Sequence, residues 1–447
     1  MTSRRAGVLT LLVASFVQGL LSSAFPASAA VLRGRGLGDA AYGSLFVPQV
    51  ALASLGALGG GLLVARLGAR RAFALGFAVM GASQAALLAV VLVRPEWVYP
   101  VGLLGASLLG LGAGLAAGPL SAFPQMLFPA TSESAVVALH TVVGLGLAAS
   151  PLLAGLALGA GAWPVFPVAL LAASTVLAVV VDKEDLPEPE RRRGTGPVRR
   201  PLGDVALWLY LAVAALYGMA EGVFGYWAVP FLVEERGLDP APAGFALAAF
   251  WGALSVGRVI VAVLVARVRP GPVLPLLAGL MAGAALLVPY ARGTGGAVLV
   301  FALGGLGCSA VFPLALGLAG RRLSDHRAWV SAVLFAALCA GLGIGSLGPG
   351  LLRSEMTLAG IYRLASLPPA LAALLAFVAL GRRTSSGNHR PGDPGPSAPW
   401  TDEKSTVESA GGVAPRAATP PAPRQPHEHA GATDAGTRSP AVTKRGR

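Results

Sequence analysis

The stretch GLLVARLGARR, from Gly61 to Arg71, recurs in related form as AVLVARVRPGP, from Ala262 to Pro272. Each copy ends an apolar run that is long enough to cross a bilayer core about 30 Å thick as a helix. Each also carries arginines at the point where such a helix would leave the hydrocarbon. The repeat therefore indicates that the chain consists of two related halves, each built from membrane helices.

Two further pairs of segments support the duplication. LGLGAGLAAGPL at 109–120 resembles LGGLGCSAVFPL at 303–314, and GLGLAASPLLAG at 144–155 parallels GLGIGSLGPGLL at 341–352. Each pair keeps its position within its half and its orientation to the membrane, as a parallel duplication requires. Close helix packing explains these glycines better than a dinucleotide fingerprint does, because no soluble strand and helix unit surrounds them.

Apolar runs of about 20 residues predict twelve transmembrane helices. Hydrophobic residues make up 55% of the chain and charged residues only 12%, which is too little charge for the surface of a soluble protein. The runs are continuously apolar, whereas the strands of membrane barrels alternate. The predicted spans, numbered 1 to 12, are residues 7–31, 41–65, 72–93, 98–122, 134–157, 163–181, 205–233, 241–266, 271–291, 296–320, 328–352 and 357–380.

The longest polar break before the C-terminal region, DKEDLPEPERRRGTGPVRRPLGD, divides the spans into six and six. Arg and Lys are concentrated in the loops on the side of both termini, so the positive-inside rule predicts cytoplasmic termini and a multi-pass protein of the plasma (inner) membrane. The alternative, a cleavable signal ending in ASAA at 27–30, would reverse that arrangement. The predicted organisation is an N-terminal six-helix bundle at 1–182, a cytoplasmic linker at 183–204, a C-terminal six-helix bundle at 205–381 and a disordered tail at 382–447.

The loop after span 2 resembles the major facilitator superfamily, whose pattern there is Gly-x-x-x-Asp-Arg-x-Gly followed by basic residues. Ala65 replaces the Asp of the pattern. The resemblance implies an all-α fold of twelve helices in two pseudo-symmetric six-helix bundles, and a role for this loop in steadying one conformation. The alternative is that its arginines only anchor the topology. The residues assigned to this conformational loop and its repeat are Gly61, Arg66, Gly68, Arg70, Arg71 and Arg267.

Parts of spans 5, 7 and 8 look like the corresponding spans of fucose-permease-like and related sugar carriers. The stretches concerned are LHTVVGLG at 139–146 and LYGMAEGVFGYWAVPFLVEERGLDPAPAGFALAAFWGALSVGR at 216–258. This second resemblance implies a sugar-like or other polar substrate.

Glu221 is the only carboxylate that the predicted spans place well inside the membrane. An ionisable group costs about 2.5 to 3.5 kcal/mol at that depth, so it usually faces a water-filled path or a partner. We expect Glu221 to exchange protons or to bind substrate hydroxyls, against the alternative of a structural role. Arg258, the one arginine deep in a span, is predicted to pair with Glu221, to bind an anionic substrate or to have a structural role.

Other polar and aromatic side chains within spans complete the predicted site. Tyr217 shares a helix face with Glu221, and the helix is expected to weaken near Gly222, Gly225 and Pro230. Packing or hydrogen bonding between helices is the alternative for each of these side chains. The candidate substrate or coupling residues are Glu221, Arg258, His140, Gln18, Tyr217, Trp227 and Trp251, and the predicted helix kinks lie at Pro151 and Pro349.

The predicted function is secondary active transport of a small molecule by alternating access, with protons as a candidate coupling ion. The alternative is efflux of drugs or toxic metabolites, because GLAASPLLAG in span 5 is similar to the antiporter pattern Gly-x-x-x-Gly-Pro-x-x-Gly-Gly. A non-transporting receptor is the remote alternative, and an enzyme is not expected, since no catalytic constellation is apparent. We expect a monomer with the bilayer and its substrate as partners, no cofactor or metal, and no binding of nucleic acid.

Overall fold

A computed structural model describes residues 2–128, 132–184, 186, 202–265, 267–268, 270–323 and 326–386. Within these ranges, twelve helical segments are long and apolar enough to cross a membrane, which confirms the predicted number of spans. The helical form follows from the apolar runs, because a helix satisfies its backbone hydrogen bonds internally where water is excluded. Most of the predicted linker and most of the predicted tail lie outside the described residues.

The observed spans begin and end close to the predicted boundaries. Spans 3, 4, 5, 6, 8 and 11 are single helices, whereas spans 1, 2, 7, 9, 10 and 12 each consist of consecutive helical pieces. In order, the spans are Thr2–Ser22 with Ala24–Ala27 and Ala29–Gly34; Asp39–Ser44 with Phe46–Leu67; Ala69–Ala89; Pro95–Leu127; Ser132–Gly159; Val165–Lys183; Val205–Pro230 with Phe231–Glu235; Pro240–Val265; Pro270–Leu287 with Val288–Tyr290; Gly293–Cys308 with Val311–Arg322; Arg327–Leu352; and Leu358–Leu364 with Leu367–Ser386.

Span 10 is broken in its middle, between Cys308 and Val311. Pro313 contributes to the break, since it has no N–H to donate to the Ser309 carbonyl four residues earlier and its ring clashes with that carbonyl. In the other half, Pro119 occupies the corresponding position of the repeat but lies inside an unbroken helix. Span 7 also remains helical through Gly222 and Gly225, and it changes from α-helix to π-helix only after Pro230.

Glycines bring the same pairs of spans together in both halves. A Cβ added at Gly146 of span 5 would lie 2.1 Å from the Phe16 carbonyl oxygen of span 1. Likewise, a Cβ at Gly345 of span 11 would lie 2.1 Å from the Met219 carbonyl oxygen of span 7. Backbones can approach this closely only where a side chain is lacking. The glycine-rich repeat therefore has a packing role in spans 5 and 11.

Replacing Gly146 with Val is expected to lower the thermal stability of the detergent-solubilised protein. The added side chain would meet span 1 backbone, which cannot move aside as a flexible side chain can, and overpacking of this kind costs about 1–3 kcal/mol or more. Gly59→Val is the matched control, since nothing lies within 4 Å of a Cβ at that position. Equal melting temperatures for the two variants would refute the packing role.

The first six spans meet the last six through spans 2 and 11 and through spans 5 and 8. The connections between spans 1 and 2, between spans 7 and 8 and between spans 11 and 12 lie at one membrane face, which we call the far face. We call the opposite face the terminal face. A Cβ at Gly43 would lie 2.5 Å from the Ser346 carbonyl oxygen, and one at Gly244 would lie 2.5 Å from that of Pro151. Both contacts lie in the part of the bundle near the far face.

Candidate functional site

Glu221 lies near the middle of span 7, which runs from Val205 to Glu235. Its side chain is partly buried and remains accessible to water-sized molecules. The carboxyl group lies beside the hydroxyl of Tyr217, one turn earlier on the same helix, and within electrostatic range of Arg258 on span 8. The carboxyl group at this depth therefore has a polar neighbour and lies near a positive charge, as is usual for an interior ionisable group.

Arg258 connects three spans at this depth. Its Nε donates to the Ser309 carbonyl oxygen in the break of span 10 at 3.1 Å, and its charge also acts on His140 of span 5. The imidazole of His140 is exposed. The structure thus brings together four of the predicted site residues: Glu221, Arg258, His140 and Tyr217.

Tyr217 reaches the same break from span 7. Its ring is fully buried, and its hydroxyl donates to the Cys308 carbonyl oxygen at 3.0 Å. Sequence reasoning missed the contribution of Cys308 and Ser309, although Pro313 was the signal that could have revealed it. The break in span 10 therefore forms part of the surroundings of Glu221.

The other predicted side chains make different contacts, and Trp251 lies next to Gly225 of span 7, where an added Cβ would be 3.1 Å from its ring. Trp227 is fully buried and donates from Nε1 to the Ser346 carbonyl oxygen at 2.9 Å, against the far face. Trp251 packs edge-on against Phe250 with ring centroids 4.9 Å apart. Gln18 of span 1 is 8% exposed, and its Oε1 has no hydrogen-bond partner among the described residues.

The predicted conformational loop lies at the terminal face. Gly68 ends span 2 with a φ of 90°, a backbone conformation that favours glycine. Arg70 donates from Nη1 to the Glu184 carbonyl oxygen at the end of span 6, at 3.2 Å. The remaining loop residues are exposed or lie in open space: the side chains of Arg66, Arg71 and Arg267 are exposed, and an added Cβ at Gly61 would have no atom within 4 Å.

The predicted kink positions, Pro151 and Pro349, both lie inside unbroken helices.

Five charged side chains form a cluster at the far face, which we call the far-face cluster: Arg33, Asp39, Glu234, Glu235 and Arg353. Arg33 pairs with Asp39 at 2.8 Å and, across the two halves, with Glu234. Arg353 pairs with Glu235 at 2.9 Å and, also across the halves, lies 3.8 Å from Asp39. Each half thus contributes an arginine and an acidic residue to ion pairs with the other half.

Aromatic side chains lie directly beneath the far-face cluster. Tyr42 of span 2 donates its hydroxyl to the Tyr226 carbonyl oxygen of span 7 at 2.8 Å. The rings of Phe46 and Tyr226 stack with centroids 4.1 Å apart. These contacts also join the two halves, so an apolar layer separates the far-face cluster from the depth of Glu221.

The described residues at the terminal face include an ion pair within one half. Arg322 at the end of span 10 lies 3.2 Å from Asp204 at the start of span 7. Thr10 of span 1 donates to the Glu184 carboxylate at 3.4 Å. Among the described residues, the ion pairs that join the two halves lie in the far-face cluster.

Comparisons with known proteins agree with this arrangement. The family model described as Major Facilitator Superfamily matches residues 7–346. No curated protein sequence matches the chain. Among solved structures, the chain is similar to a D-xylose-proton symporter, with 15% identity and a TM-score of 0.67 over 84% of this chain and 97% of that one. It is also similar to a mutant of the nucleoside transporter NupG, with 14% identity and a TM-score of 0.66 over 84% of this chain and 99% of the other.

Proposed function

Since the chain belongs to the major facilitator superfamily, a family of secondary transporters, we propose that its substrate is a small, uncharged polar molecule of the sugar or nucleoside kind. The observation that carries this proposal is the charge balance around Glu221. Glu221 lies within electrostatic range of the guanidinium of Arg258, so their opposite charges offset each other and favour a substrate without a net charge. Similar folds that move D-xylose and nucleosides support the same substrate class.

Alternating access supplies the mechanism in this proposal. The far-face cluster and the aromatic layer close one side, so the substrate enters from the terminal face and meets the surroundings of Glu221. The two halves then rock about this central region, the terminal face closes and the cross-half ion pairs of the far face separate. Under the predicted orientation, the terminal face is cytoplasmic.

Glu221 is the coupling group in this proposal. A carboxyl group at this depth is strongly favoured to be neutral whenever its positive partner moves away. Loading a proton on one side of the membrane and releasing it on the other would link substrate movement to the proton gradient. The fucose-permease-like features of spans 5, 7 and 8 stay a prediction about the same substrate class.

Uptake into proteoliposomes tests the proposal. We expect the purified protein to accumulate at least one neutral sugar or nucleoside from a panel when a pH gradient is imposed, and to stop accumulating it when a protonophore collapses that gradient. Charged analogues of equal size are the matched control, and they should be transported poorly. Transport of lipophilic toxins instead of neutral polar solutes would overturn the proposed substrate class and favour efflux.

A further inference from the structure

The break in span 10 frees two consecutive carbonyl groups at the depth of Glu221. In an unbroken helix, the Ser309 carbonyl would accept from residue 313, which is proline, and the Cys308 carbonyl would accept from residue 312. An unsatisfied carbonyl in the interior of a membrane protein costs several kcal/mol. Each of these two carbonyls instead accepts a side-chain hydrogen bond, one from Tyr217 and one from Arg258.

The same two side chains also act on Glu221. Tyr217 lies one turn before it on span 7, and Arg258 of span 8 lies within electrostatic range of it. Span 8 approaches the break closely, because a Cβ at Gly257 would lie 2.6 Å from the Ser309 Cβ. A small change in the position of the Arg258 guanidinium therefore acts on the break directly.

We propose that Tyr217 and Arg258 form a latch on the break in span 10, and that the negative charge of Glu221 keeps this latch closed. This inference rests on the proposed function, in which Glu221 is the coupling group. Arg258 is then a positioning residue, which binds the protein's own backbone and does not bind the substrate. When Glu221 becomes neutral, Arg258 loses its charge partner, and its hydrogen bond to Ser309 weakens.

The segment released by the latch is Val311–Arg322. At the terminal face it stays tied to span 7 through the Arg322 and Asp204 ion pair, and Asp204 also caps the first turn of span 7. Opening at the break would free this end of the helix, while the ion pair and its packing against spans 7, 9 and 11 still hold the rest. Several titratable groups interact electrostatically with Glu221. They are Tyr217 and Tyr226 from its own span, Arg258 from span 8, Cys308 from span 10 and Cys339 from span 11, and His140 of span 5 interacts with Arg258.

Cys308 reports on the latch without any knowledge of the substrate. The chain has two cysteines, so Cys339→Ala leaves Cys308 as the only thiol, and Cys308 is fully buried at the break. The experiment measures the rate at which N-ethylmaleimide modifies Cys308 in proteoliposomes. Arg258→Gln and Tyr217→Phe are each expected to raise this rate about tenfold or more, since local opening loses one hydrogen bond to a buried carbonyl.

The decisive variant is Glu221→Gln, which removes the charge and keeps the shape. In protein that retains Arg258, Glu221→Gln should raise the labelling rate of Cys308. In the Arg258→Gln protein, Glu221→Gln should have no further effect on that rate. A purely structural role of Glu221 would not produce this dependence on Arg258. Val256→Ala is the matched control, because its side chain is exposed on span 8 beside the latch, and it should leave the rate unchanged.

Two results would overturn the latch. One is unchanged labelling in folded Arg258→Gln or Tyr217→Phe protein, and the other is an effect of Glu221→Gln that is the same with and without Arg258. Gel filtration verifies folding, and Tyr217→Phe retains a test of the break if Arg258→Gln does not fold. Labelling of Cys308 does not depend on transport. If the protein transports substrate but the variants do not change the labelling rate, the latch alone is refuted. If the variants change the labelling rate but no substrate is taken up, the proposed function alone is refuted.

Discussion

Reversing the charge of Arg33 is expected to open the far face and to shift the protein toward the conformation with the opposite access. In Arg33→Glu, a new carboxylate would face Asp39 and Glu234, which now bind the guanidinium. Juxtaposed like charges cost several kcal/mol, and about 3 kcal/mol changes a population ratio more than 100-fold. The far-face cluster is thus the place where a single substitution should change the conformational equilibrium most.

Distances between spin labels on the two halves measure this shift. Cysteines introduced at Leu92 and Arg292, both exposed on far-face connections of different halves, would carry the labels in a protein without Cys308 and Cys339. The Arg33→Glu variant should show a longer distance than the parent protein. The double variant Arg33→Glu/Glu234→Arg restores opposite charges and should recover the shorter distance.

Arg94→Glu is the control for this experiment. It changes the charge of the same face by the same amount at an exposed position on the 3–4 connection. A longer distance in Arg94→Glu as well would mean that the overall charge of the face, and not the far-face cluster, sets the conformation. No change in Arg33→Glu would show that the aromatic layer beneath suffices for closure.

Replacing Glu221 with Gln is expected to separate substrate movement from the proton gradient. One transported proton per substrate allows about tenfold accumulation for each unit of pH difference, because one pH unit corresponds to 1.36 kcal/mol. The Gln variant cannot ionise and should equilibrate the substrate without accumulating it. Exchange of labelled for unlabelled substrate should continue, since the amide still offers hydrogen bonds.

Accumulation and exchange in proteoliposomes are the two measurements for this prediction. Glu355→Gln is the control, since it removes an exposed carboxylate on the 11–12 connection and should leave both measurements unchanged. Undiminished accumulation by the Glu221→Gln protein would show that another group carries the proton. Loss of both accumulation and exchange would give Glu221 a role in binding the substrate.

The spans could be predicted from the sequence because a bilayer imposes one strong requirement, a continuous apolar helix of fixed length. Glu221 and Arg258 could be found for the same reason, since charge within such a helix is conspicuous. His140 and Tyr217 lie within electrostatic range of Arg258 and Glu221 respectively, and their roles stay predictions. Depth in the membrane therefore carries most of the information about this centre.

The far-face cluster could not be predicted, because its members come from three separate connections and loop charges are common. Arg33, Glu234 and Arg353 gain a meaning only when the packing of the halves is known. Trp227 was difficult to assign from the sequence for a different reason. It follows Glu221 closely on span 7, which led to the prediction that both side chains belong to one site. Six residues along a helix separate two side chains by about 120° around the axis and about 9 Å along it, and Trp227 contacts Ser346 near the far face.

Pro119 and Pro313 occupy matching positions in the two halves, yet only span 10 is broken. The two halves are therefore unequal as moving parts. Span 4 is one continuous helix, whereas span 10 consists of two helices that can change their relative angle at the break. If the proposed latch controls that angle, a change of charge at Glu221 acts on the C-terminal half first, and the N-terminal half follows through the contacts between the halves.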